Sequence, residues 1–227
     1  MKTDFGALIF DMDGTLVDSE RVHWQAWQIT LDAYGAFVPD FQDFTIYVGV
    51  SDEQMASEFI SSSGLRVSRK RLVADKCSAY YDLIPRLELL PGVETTLANF
   101  KGKYRMAVAS SSPYREIMAI LAHHGLTDNF EIVVGGDMVE RKKPDPEIYL
   151  QAAARLGLMP SECVAFEDSE SGIAAADSAG LASVAVPHAM SIGHDFSRAD
   201  AVLKSLEAVD EELFAHLKRN RHWARQL

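Results

Sequence analysis

Residues 7–20 read "ALIFDMDGTLVDSE": an apolar run ends on Asp11 and Asp13, and Asp18 and Glu20 follow closely. Four apolar residues with no polar alternation fit a strand buried on both faces. Like charges at its tip repel one another, and a strand end has no folding need for them. Gly14 and Thr15 then start a hinge where the chain leaves the sheet. Asp18 is expected to serve the start of the helix that follows, and Glu20 to favour its positive end.

Similar apolar segments recur at 104–109 ("YRMAVA"), 131–134, 163–166, 182–186 and, more weakly, 201–203, with helical patterns between them. This alternation predicts a parallel sheet covered on both faces. Ser112-Pro113 and Asp145-Pro146 read as helix N-caps followed by proline at the first helical position. Gly125, Gly157 and Gly180 mark helix ends. Residues 16–90 differ, with almost no strand signal. They carry an amphipathic helix over roughly 19–34 (Trp24, Trp27, Leu31, Tyr34) and another over 69–83 (Leu72, Tyr80, Leu83). The expected fold class is α/β: a Rossmann-like parallel sheet core flanked by helices, with a small inserted α-helical cap domain. The core takes residues 1–15 and 91–227 and the cap 16–90. The cap is expected over the carboxyl edge of the sheet, where open α/β folds place their sites.

Composition narrows the function. With 227 residues, 48% of them apolar and 24% charged, the chain is an ordinary soluble globular sequence. A net charge of -11 argues against a nucleic-acid partner. No apolar run reaches the ~20 residues of a membrane span, and the first residues lack a signal-peptide layout. A cytoplasmic protein is expected, with Cys77 and Cys163 as free thiols. The oligomeric state is open, and a monomer satisfies the reading.

Polar residues collect where strands end. The first strand delivers Asp11 and Asp13, the second Ser110, Ser111 and Ser112, the third leads to Lys142 and Lys143, and the fourth delivers Glu167 and Asp168. Carboxylates around one point tolerate each other if a cation sits among them, and oxygen-only ligands favour a hard ion such as Mg²⁺. A lysine beside that ion would clamp phosphate oxygens, helped by helix N-termini. An ionised aspartate can attack phosphorus, and a second carboxylate two residues on can protonate the leaving oxygen and then activate water. A calcium loop is excluded for "DMDGT", because Thr15 and Leu16 stand where the EF-hand pattern requires an oxygen ligand and glycine.

These motifs resemble those of the haloacid dehalogenase superfamily. They are Asp11-Met12-Asp13-Gly14-Thr15, the strand "MAVASSS" ending in Ser110, the lysine of "KPDPEIY" (Lys143), and the acidic pair of "VAFEDSESGIAAADSAG". The resemblance implies Asp11 as nucleophile, Asp13 as general acid/base, and Ser110 and Lys143 as ligands of the transferring phosphoryl group. It implies Mg²⁺ on Asp11, the Asp13 backbone carbonyl and Asp168, assisted by Glu167, with Ser111 and Ser112 on the substrate side. Dehalogenases of the superfamily generally lack the second aspartate, so Asp13 argues against carbon–halogen cleavage.

The insert is similar to the small cap of the β-phosphoglucomutase-like branch. His23 and Trp27 match its His-x-x-x-Trp pattern, and "YVGVSDEQ" resembles its substrate-contacting loop, with Gly49, Val50 and Ser51 near the ligand. In the mutases an arginine follows that serine and holds a second phosphate; this chain has Asp52. Lys76, on an otherwise apolar helix face, either snorkels to solvent or reaches the substrate. The expected activity is therefore hydrolysis of a small phosphate monoester, a sugar phosphate or similar metabolite, through an aspartyl-phosphate on Asp11. The alternative is a β-phosphoglucomutase-type phosphomutase. A non-catalytic phospho-acceptor is a remote third reading, since receiver domains are about half this length and have no cap.

Overall fold

The computed structural model describes residues 5–47 and 50–224. Their contacts divide them into one unit up to Val17 and from Leu89 onward, and a second unit over Asp18–Glu88.

The first unit is built on a six-stranded sheet. Its strands are β1 (Ala7–Phe10), β4 (Arg105–Ser110), β5 (Ile132–Gly135), β6 (Cys163–Glu167), β7 (Ala182–Ala185) and β8 (Ala201–Val202), arranged β5-β4-β1-β6-β7-β8. Every neighbouring pair is parallel. The chain builds outward from β1 through β4 to β5, then returns to lay β6 on β1's other side. That reversal is the topological switch point, where open α/β sheets gather their sites at strand carboxyl ends. The register sets those ends level, with Phe10 opposite both Val108 and Phe166.

Helices α5 (Val93–Phe100), α6 (Tyr114–His123), α7 (Glu147–Arg155), α8 (Glu170–Ala179) and α9 (Glu211–Ala224) complete this unit. One sheet face presents Ile9, Ala107, Ala109 and Ala165 to Ile148, Tyr149 and Ala152 of α7 and to Ala175 and Ala176 of α8. Alternation along the strand turns Phe10 the other way, where its ring stacks on Phe166 with centroids 4.9 Å apart. Burying each large side chain contributes roughly 1.5–3 kcal/mol, and β1 and β7 are buried throughout.

Helix starts depart from the sequence expectation in an informative way. Helix α6 begins at Tyr114 with Pro113 in its cap position, which leaves the Ser112 hydroxyl for other work. Helix α7 begins at Glu147, whose N–H donates to Asp145 Oδ1 at 3.0 Å, so the aspartate acts one residue further upstream. Gly125, Gly157 and Gly180 do take the left-handed backbone of helix ends.

The second unit is helical: α1 (Glu20–Ala33), α2 (Phe41–Phe44), α3 (Asp52–Ser63) and α4 (Arg69–Leu83). Trp27, Leu31, Phe44, Met55, Ala56, Phe59 and Leu72 form its core. Asp18 is exposed and lies before the cap residue Ser19, whose side chain makes no capping bond, so the role expected of Asp18 is not met. Helix α3 carries its own signature in Ser51-x-x-Gln54. The Ser51 hydroxyl accepts the Gln54 N–H, and the Gln54 side chain accepts the Ser51 N–H. Two short strands, β2 (Val17–Asp18) and β3 (Glu88–Leu89), pair where the chain passes between the units. No described helix is long and apolar enough to cross a membrane.

Candidate active site

The site grows from the end of β1. The Asp11 N–H donates to Phe166 O at 3.0 Å, extending the ladder by one residue and fixing the carboxylate at the strand tip. The Met12 carbonyl then accepts the N–H groups of Leu16 and Val17, folding the chain into a tight turn through Gly14 at φ +73°. That φ favours glycine.

Three further strand ends meet it. From β4, the Ser112 hydroxyl donates to Asp13 Oδ2 at 2.6 Å, while Ser110 is buried and its hydroxyl lies 3.4 Å from the same oxygen. Ser111 is exposed at the same strand end. From the segment after β5, Lys143 Nζ donates to Asp11 Oδ1 at 2.6 Å, to the Ala109 carbonyl at 2.9 Å and to Glu167 Oε1; neighbouring Lys142 is exposed. From β6 come Glu167 and Asp168.

Glu167 is fully buried and surrounded by donors. Tyr149 gives its hydroxyl proton to Oε1 at 2.6 Å, alongside Lys143, and the Ser169 hydroxyl donates to Oε2 at 3.1 Å. Helix α8 presses Gly172 so closely that a Cβ there would lie 1.9 Å from Glu167 Cδ. Asp168 is 3.0 Å from His188 Nε2.

Ligand oxygens of Asp11, Glu167 and Asp168 lie within 4.8 Å of one another. Burial first, then repulsion from Glu167, Asp168 and Asp13, hold the Asp11 carboxyl well above the usual carboxylate range against the pull of Lys143. Burial likewise raises Asp168, with the His188 hydrogen bond pulling the other way. Burial alone would lower Lys143, but Asp11 and Glu167 together outweigh it and strengthen its hold on its proton. The Tyr149 hydroxyl is held neutral by burial and by Glu167. Three buried carboxylates against one ammonium leave uncompensated negative charge, and the donors are all oxygen. That donor set fits a hard divalent cation.

The residues expected to contact substrate from the insert all lie in the helical unit, except Gly49, which falls outside the described residues. There Lys76 neither snorkels nor stands alone. It is fully buried, with Nζ 2.8 Å from Asp52 Oδ2 and 2.8 Å from His23 Nδ1. An ammonium only donates, so His23 Nδ1 accepts and the imidazole proton sits on Nε2. Trp27 Nε1 donates to Asp52 Oδ1 at 3.2 Å, and the His23 ring stacks on Tyr80 at 4.2 Å. Although burial raises it, the Asp52 carboxyl is lowered on balance, chiefly by Lys76. Val50 is half-buried beside this unit's core, and Ser51 caps α3.

Sequence reasoning missed Tyr149, Ser169 and His188. Tyr149 stands inside the quoted "KPDPEIY", but an aromatic at helical spacing reads as core. His188 follows the last long strand in a stretch with no motif.

The model of the family described as haloacid dehalogenase-like hydrolase matches residues 8–186. The chain belongs to this family. Among the relatives of this haloacid dehalogenase-like hydrolase is the fructose-1-phosphate phosphatase YqaB of Escherichia coli, 36% identical over 183 residues, spanning 80% of this chain and 96% of the relative. The β-phosphoglucomutase of Bacillus subtilis is 31% identical over 217 residues, 91% of this chain and 92% of the mutase. A solved structure of a CbbY variant from Rhodobacter sphaeroides in complex with xylulose-(1,5)bisphosphate superimposes with a TM-score of 0.82 at 27% identity, covering 90% of this chain and 96% of that one. The Rossmann-like sheet of this hydrolase is thus the family's own.

Proposed function

We propose that this hydrolase is a Mg²⁺-dependent phosphatase acting on small cytoplasmic phosphate monoesters, sugar phosphates above all. The observation that carries the reading is the buried Asp11–Lys143–Glu167 chain of contacts, with Asp13 and Asp168 beside it. Asp11, the Asp13 carbonyl and Asp168 are the residues that would hold Mg²⁺, which supplies charge neutralisation for the transferring phosphoryl group.

An Asp11 oxygen attacks phosphorus and the bond from phosphorus to the ester oxygen breaks. Asp13, protonated at that moment, gives its proton to the leaving oxygen. An aspartyl-phosphate remains on Asp11, and Ser110 and Lys143 hold its oxygens. Asp13, now a carboxylate, takes a proton from water as that water attacks phosphorus. The acyl-phosphate bond breaks, inorganic phosphate leaves and Asp11 is restored. Such acid–base help is worth about 10² to 10⁴ in rate. Glu167, saturated by Lys143, Tyr149 and Ser169, serves to hold the lysine.

On this reading His23, Val50 and Ser51 of the helical unit select the part of the substrate that does not react, while Trp27, expected among them, is fully buried in that unit's core and holds Asp52 instead. Pairing of Lys76 with Asp52 favours hydrolysis over mutase chemistry. A mutase needs a cationic anchor for a second phosphate, and here the lysine's charge is already matched. The β-phosphoglucomutase relative supports phosphomutase activity as the second reading.

A Mg²⁺-dependent phosphate-release assay over fructose 1-phosphate, phosphoglycolate and β-glucose 1-phosphate, with and without a sugar bisphosphate primer, separates the two. Release from at least one monoester without primer is expected. Primer-dependent isomerisation of glucose 1-phosphate to the 6-phosphate in its place would establish the mutase.

A further inference from the structure

The loop after β7 folds His188 against Asp168. His188 is held by its own loop: its N–H donates to Ser191 Oγ at 3.1 Å, and the Ser191 N–H returns to the His188 carbonyl at 3.0 Å. The ring's two nitrogens have different partners. The Met190 N–H donates to Nδ1 at 3.3 Å, while Nε2 lies 3.0 Å from Asp168 Oδ2. A nitrogen that accepts from a backbone N–H carries no proton, so the neutral ring bears its hydrogen on Nε2 and points it at the carboxylate. The turn after β1 closes on the same pair. A Cβ on Gly14 would lie 2.4 Å from Asp168 Oδ2 and 2.7 Å from His188 Nε2.

We propose that His188 is a positioning residue for the metal site: its Nε2–H fixes one oxygen of Asp168 and leaves the other free to bind Mg²⁺. This rests on the reading of Asp168 as a metal ligand. Outer partners of this kind orient ligating carboxylates, and losing one typically weakens metal binding about 10–100-fold. Glutamine places an amide donor near the position of Nε2, so it should replace histidine in this role. Alanine removes the donor, and phenylalanine removes it while keeping the ring's volume.

The test is calorimetric titration of the full chain with MgCl₂, with no substrate present. His188→Ala and His188→Phe should each weaken Mg²⁺ binding about 10-fold or more, with His188→Gln within about threefold of the parent. Phenylalanine carries the same expectation should the alanine variant fail to fold. Parent-like affinity in the variants lacking the donor overturns the proposal, as does an equal loss in the glutamine variant. Asp168→Asn separates this from the underlying reading. Loss of Mg²⁺ binding there, with none in the His188 variants, defeats only the positioning role. Retention of binding in Asp168→Asn defeats both.

Discussion

Lys76 Nζ lies 2.8 Å from Asp52 Oδ2 inside the helical unit, with the lysine side chain only 1% exposed and the aspartate 26%. An ammonium this deep depends on its carboxylate. Asp52→Ala should destabilise the protein by about 2–3 kcal/mol, less than the ~3–5 kcal/mol of a fully buried pair because water reaches Asp52. Urea unfolding measures it. The pair also gives an acid limb to stability: Asp52 titrates below its unfolded value of about 3.9. Its contribution is present above that pH and is lost as pH falls through the lower folded value. The Asp52→Ala variant should lack this part of the acid response.

The carboxylates of the candidate metal site titrate the opposite way. Asp11 and Asp168 are raised, so the stability they contribute is full below about pH 3.9 and is lost as pH rises through their folded values. Metal-free protein should therefore lose stability relative to Asp168→Asn as pH rises above about 4. Mg²⁺ at a hundred times its Kd should add about 2.7 kcal/mol to the parent and nothing to that variant. Thermal unfolding with and without MgCl₂ at several pH values checks both.

Gly172→Ala tests how tightly α8 is set against Glu167. Helix propensity alone would favour alanine by about 1 kcal/mol. The new methyl group would meet a fully buried carboxylate pinned by three donors. Overpacking should win, with a net loss of about 1–3 kcal/mol in denaturant unfolding and reduced turnover as Glu167 shifts away from Lys143.

Tyr149→Phe removes one proton donor from Glu167 Oε1 and leaves the ring in place. A hydrogen bond to a charged acceptor is worth about 1.5–3 kcal/mol. Stability should fall by that order, and kcat should fall more than KM rises, because Lys143 is positioned through Glu167 instead of through substrate contacts.

Much of this was legible in the residues themselves. Strands apolar on both faces announce a parallel sheet, so the sequence alone puts Asp11, Ser110 and Glu167 at strand ends. Ser112 was legible in kind but not in role: Pro113 moved the helix start one residue on and freed the hydroxyl for Asp13. Helix α3 carries its capping box in plain view at Ser51 and Gln54, inside the stretch whose resemblance is to a substrate-contacting loop. Lys76 could be placed on an apolar face by its spacing. Nothing local said that Asp52, 24 residues earlier, would meet it there. His188 reaches Asp168 only through the return of a loop 20 residues later, a contact that no periodicity encodes.

Asp11→Asn is the decisive variant for Asp11 as the nucleophile. Asparagine keeps the side chain's shape and removes its ability to attack phosphorus. Mg²⁺-dependent phosphate release from the best monoester of the panel should fall by a factor on the order of 10³ or more, with the variant folded and melting no lower than the metal-free parent. Release surviving near the parent rate would rule Asp11 out as the nucleophile.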